Sequence, residues 1–146
     1  MADRGEGRAG AVEPVIVAEA EREWEGWPEE DVPQRGGVLW RTLISAGVTP
    51  TAGLTLGVAR LPPGEALHEH RHAQEEVYLV LEGEGVVRLA GRAHPVRAGS
   101  AVFIPGHALH GCENPGPGEL RLAYVLAADS FDDVEYRFGE DAPAGG

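Results

Sequence analysis

Four side chains able to bind a cation fall within nine residues of one another: His68, His70, His72 and Glu76. They lie in residues 64–83, GEALHEHRHAQEEVYLVLEG, and an apolar run, VYLVL, follows directly. Successive side chains of a strand alternate faces, so residues two apart point the same way. An extended chain therefore puts His68, His70 and His72 on one face, and Glu76, Tyr78 and Val80 on one face of the next strand. Gathering three imidazoles and a carboxylate is unfavourable unless something binds them, and that donor set suits a divalent transition metal.

A second stretch, residues 99–114, reads GSAVFIPGHALHGCEN. Its apolar strand, residues 101–104, should end at Pro105-Gly106, because proline lacks the N–H that a ladder needs. His110 then opens a new extended segment and shares a face with Cys112 and Asn114.

Together the two stretches resemble the paired motifs of the cupin superfamily. The first runs Gly64, five residues, His70, one residue, His72, three residues, Glu76, six residues, Gly83. The second runs Gly99, five residues, Pro105, then His110, three residues, Asn114. One position departs: the family usually carries glycine where this chain has His107, which bears on the local turn. The surrounding strand pattern extends the match over residues 38–127. The resemblance implies an all-β, single-domain jelly-roll β-barrel of two antiparallel sheets. It also implies that His70, His72, Glu76 and His110 bind one divalent metal inside that barrel, whether zinc, iron, manganese, nickel or cobalt. His68 has the right parity but lies outside the motif, so a position behind the ligands or at the rim is expected. His94 and His107 read as loop residues.

The chain has 146 residues, enough for one domain with a hydrophobic core. Twenty-one glycines and 11 prolines interrupt short apolar runs, which favours many short strands over helices. A net charge of −12 argues against nucleic acid and against an anionic membrane surface. There is no long apolar run, no apolar leader at the start, and a single cysteine, so a cytoplasmic protein is expected. All basic residues are arginine, which excludes lysine chemistry. Residues 1–35 read as an acidic, partly disordered N-terminal arm, residues 36–138 as the barrel and residues 139–146 as a disordered tail. Within the arm, residues 15–17 could form a short strand. Trp24 and Trp27 need a surface to cover, either the chain's own barrel or, as the resemblance implies, a partner in a homodimer.

Several residues could assist a metal. Tyr78 shares the inward face with Glu76 and is the best candidate to move a proton, although an aromatic core role also explains it. Tyr124 is a weaker case. Arg60 could hold an anionic group, Cys112 reads as small core filler, and Asn114 suits a turn before Pro115. Phe103, Val80 and Leu122 are expected to form an apolar wall. Three neutral imidazoles and a carboxylate leave coordination positions free for a small-molecule substrate. Three classes of function are compatible with that site. One is a lyase, cyclase or isomerase working by metal-assisted proton transfer. The others are an iron-dependent dioxygenase and a binding protein without turnover.

Overall fold

The computed structural model describes residues 12–139. The disorder expected for residues 1–11, and for the tail beyond Gly139, concerns residues outside that range. Eleven strands are present among the described residues: β1 (Glu25–Gly26), β2 (Leu39–Ile44), β3 (Thr55–Leu61), β4 (Ala66–Arg71), β5 (Glu76–Glu82), β6 (Glu84–Leu89), β7 (Arg92–Arg97), β8 (Ala101–Ile104), β9 (His110–Glu113), β10 (Leu120–Leu126) and β11 (Arg137–Phe138). Six of them form one antiparallel sheet in the order β1, β2, β3, β10, β5, β8, and five form the other in the order β11, β4, β9, β6, β7. Several neighbours, such as β3 with β10 and β4 with β9, are far apart in the chain, as in a jelly roll.

Alternation along the strands builds the interior. In β10, Leu120, Leu122, Tyr124 and Leu126 are buried while the residues between them are partly exposed. In β5, Glu76, Tyr78 and Val80 face inward and Val77, Leu79 and Leu81 outward. Leu61, Ile104, Leu120 and Leu126 are wholly buried, each contributing about 1.5–3 kcal/mol from burial. Gly83 explains itself by geometry. Its φ is +87°, and a Cβ there would run into the carbonyl of Glu119, so only glycine fits.

Several expectations are corrected. Phe103 is 58% exposed. It pairs with the outward Val77 in the β5–β8 register, so Ile104 takes the inner position instead. His68 is exposed although His70 is buried, because the β4–β9 pairing shifts between Leu67 and His70. Such a bulge breaks the two-residue alternation. Residues 15–17 pair with no strand among the described residues, and Ile16 is almost fully exposed. Residues 92–97, where His94 read as a loop residue, form the strand β7.

The arm lies on its own chain. β1 pairs with β2, Glu19 bridges Arg41 and Arg121, and Trp24 is stacked beneath the guanidinium groups of Arg41 and Arg60. Trp27 enters the barrel and meets Trp40, Tyr136 and Phe138 edge-on at 4.9–5.6 Å. A one-turn helix, α1 (Val32–Arg35), follows.

Asn114 is 1% exposed. Its amide donates to the carbonyls of Leu61 and Gly118 at 2.8 and 2.7 Å, and its oxygen accepts from Gly116 N–H at 3.1 Å. The residue therefore clamps β3 to the loop after β9. Asn114→Ala should destabilise the fold by about 2–4 kcal/mol, since three hydrogen bonds go and a buried carbonyl loses its partner. Urea unfolding checks this, and a change below about 0.5 kcal/mol would reduce Asn114 to loop filler.

Candidate metal centre

His70 ends the inward face of β4, His72 follows it, Glu76 opens β5 and His110 opens β9. All four side chains are buried. The nitrogens that the three imidazoles can offer lie within 4.8 Å of one another. His70 and His110 are paired across β4 and β9, with ring centroids 4.2 Å apart. The strand order therefore brings the second stretch onto the first.

The backbone sets the tautomers. Nδ1 of His70 donates to the His68 carbonyl at 2.8 Å, Nδ1 of His110 to the Ala108 carbonyl at 2.8 Å and Nδ1 of His72 to the Gln74 carbonyl at 3.0 Å. A carbonyl can only accept, so each Nδ1 carries the proton and each neutral ring presents an Nε2 lone pair. Nε2 of His72 and of His110 lie 3.1 and 3.2 Å from Oε1 of Glu76. Lone pairs facing a carboxylate oxygen repel unless a cation stands among them. The donor set thus fits a metal ion, and the cluster of three buried histidines can hold one.

Burial, reinforced by the neighbouring His110, drives the His70 pKa well below 6.5. The folded pKa of His70 is depressed, so the unfolded chain takes up this proton first. The stability that the neutral ring confers is present above the unfolded value and is lost as pH falls below about 6.5. Metal-free protein should therefore show a urea midpoint that drops on acidification from neutral pH. The limiting slope is about 1.4 kcal/mol per pH unit for each proton taken up. A midpoint that holds or rises down to pH 5 contradicts the burial of a neutral His70.

Beside the cluster lies a cavity of about 40 Å³, walled by Trp27, Trp40, Tyr78, Tyr124, Phe131 and Tyr136, with Glu76 at one side. A single water occupies about 10–15 Å³ on this scale, so the cavity suits a group of a few heavy atoms. The Tyr136 ring centroid lies 5.3 Å from those of both His70 and His72, tilted to the first and edge-on to the second. The Tyr78 hydroxyl and the indole N–H groups of Trp27 and Trp40 are buried with no hydrogen-bond partner among the described residues. The Tyr124 hydroxyl neighbours Thr42 without a well-formed hydrogen bond.

Other expectations end elsewhere. Arg60 sits on the outer face between Trp24 and Glu119. His94 and His107 are exposed, and His107 takes the left-handed φ of +67° at the position where glycine was expected. Cys112 lines the cavity, and burial pushes its thiol up to about 12, so it stays protonated. Trp40, Phe131 and Tyr136 were not foreseen at the site. The one signal for them was the excess of aromatic residues at the chain's ends.

Fold and site define a jelly-roll protein with an internal imidazole cluster able to hold a metal ion. The cupin domain family model matches residues 57–126. The chain is 45% identical over 120 residues to dimethylsulfoniopropionate lyase DddW of Ruegeria pomeroyi, covering 77% of this chain and 78% of that protein. The protein belongs to the cupin family. It is also 32% identical to the oxalate-binding protein of Thermotoga maritima, over 68% of this chain and 85% of that one. Among solved structures, the polyketide cyclase RemF of Streptomyces resistomycificus superposes with a TM-score of 0.71 over 89% of this chain and 90% of its own, at 23% identity, which bears on the fold alone. These relatives bind or act on small molecules. No described helix is long and apolar enough to cross a membrane.

Proposed function

We propose that His70, His72, Glu76 and His110 hold one divalent transition metal, and that the protein is a lyase for a small carboxylate bearing an onium group. Dimethylsulfoniopropionate, the compound in the DddW relative's name, is the proposed substrate. The observation that carries this reading is the aromatic cavity beside Glu76, with the Tyr78 hydroxyl, unpartnered among the described residues, in its wall. Aromatic faces attract an onium cation, by about 2 kcal/mol or more when it is desolvated. The small volume disfavours a multi-ring polyketide.

When bound, the metal supplies a positive charge that polarises a substrate carboxylate oxygen and favours the ionised form of a nearby phenol. Trp27, Trp40, Phe131 and Tyr136 surround the sulfonium group and exclude water from it. Tyr78, on the same strand face as Glu76, takes the proton from the carbon next to the carboxylate. The carbon–sulfur bond breaks, its electron pair leaves with sulfur, and the C–H electrons form the double bond. Dimethyl sulfide, acrylate and one proton result.

The test is headspace gas chromatography of dimethyl sulfide, with acrylate measured in parallel, before and after chelation and metal return. Equimolar products that vanish on chelation are expected. Oxygen consumption without sulfide release would replace this reading with a dioxygenase, and saturable binding without turnover would replace it with a binding protein. A homodimer also belongs to this proposal, supported by the exposed Val77, Leu79, Leu81 and Phe103 on the outer face of β5 and β8. Sedimentation equilibrium at the monomer mass would remove it.

A further inference from the structure

One row of side chains crosses the larger sheet from the metal centre to the surface. Tyr78 on β5 stands opposite Tyr124 on β10, Tyr124 opposite Gly57 on β3, and Gly57 opposite Thr42 on β2. All four are buried on the inner face. A Cβ at residue 57 would strike the hydroxyl end of Tyr124. The missing side chain therefore lets that ring lie across β3, with its hydroxyl reaching toward Thr42. Thr42 Oγ1 in turn donates to Oε2 of Glu25 at 3.1 Å, and Glu25 lies exposed on β1.

We infer that Tyr124, Thr42 and Glu25 form a proton exit from the cavity to solvent. A hydroxyl can accept one proton while donating another. Thr42 already donates to the outer carboxylate and has an acceptor lone pair free for Tyr124. Side chains facing each other on paired strands lie about 5 Å apart at Cβ, and Tyr78 and Tyr124 share the cavity. A proton released into the cavity passes to Tyr124, which lines it. Tyr124 releases its own proton to Thr42, and Thr42 releases its own to Glu25. Each O–H bond broken is matched by one formed, and the carboxylate hands the proton to bulk water. Catalytic hydrogen bonds are often loose before substrate binds, as the Tyr124–Thr42 contact is here. The inference rests on the lyase reading, because elimination leaves one proton per turnover in the cavity.

Two measurements test it. With dimethylsulfoniopropionate as substrate, Thr42→Val should turn over at least tenfold more slowly with little change in KM. Imidazole buffer should restore it, Thr42→Ser should restore it without buffer, and the unsubstituted enzyme should ignore buffer concentration. An active Thr42→Val enzyme that imidazole fails to rescue overturns the path. Independently of substrate, hydroxyl hydrogen exchange of Tyr124 can be read from the isotope shift of 13Cζ-labelled tyrosine in mixed light and heavy water. Thr42→Val and Glu25→Gln should each slow it at least fivefold. Unchanged exchange overturns the path whatever the activity. Slowed exchange in a chain that releases no dimethyl sulfide keeps the path and sinks the lyase reading.

Discussion

Protein carrying His110→Ala, purified without added metal, should retain less than a tenth of the divalent metal found in the unsubstituted chain. His110 is the one member of the cluster supplied by β9, and its ring is wholly buried against His70 and His72. Alanine removes an Nε2 lone pair and leaves Glu76 facing one imidazole nitrogen instead of two. Losing a residue that merely orients a ligand typically weakens a metal site by about 10–100-fold, and losing a donor atom should exceed that. Elemental analysis gives the answer, with circular dichroism to show that the barrel remains. Full metal content in the variant would take His110 off the ligand set.

Tyr78→Phe should separate activity from stability. Its hydroxyl is buried without a partner among the described residues, and burial, with Glu76 nearby, holds its pKa well above 10. Such a group is a liability to the fold, so removing it should leave the urea midpoint unchanged or raise it. If the same hydroxyl takes the substrate proton, turnover should fall by about 10²–10⁴-fold, the usual contribution of general acid–base catalysis. Metal content should not change. An enzyme that keeps activity within about threefold would make Tyr78 a wall of the cavity and no more.

Much of the cluster was legible because its parts are local. His70, His72 and Glu76 lie within seven residues, and alternation along two short strands predicts their common direction. The glycines and prolines around them mark where strands must stop. The β10 alternation was equally readable, since large and smaller side chains take turns along that strand, and in the apolar β5 it was Glu76 that marked the inward face. Parity alone misplaced Phe103 and His68, however. The face a residue takes depends on the register with the neighbouring strand, and a single bulge inverts it.

By itself the sequence determined most of the strand succession, the jelly-roll family and the three histidines that could hold a cation, because spacing and turn residues act over a few positions of chain. Only the tertiary structure decided what stands beside that cation. Trp27, Trp40, Phe131 and Tyr136 are spread over more than a hundred residues, and they converge because β1 joins β2 and β11 joins β4 at opposite sheets. Strand pairing between distant segments places side chains in one wall, and no local pattern encodes which segments will pair.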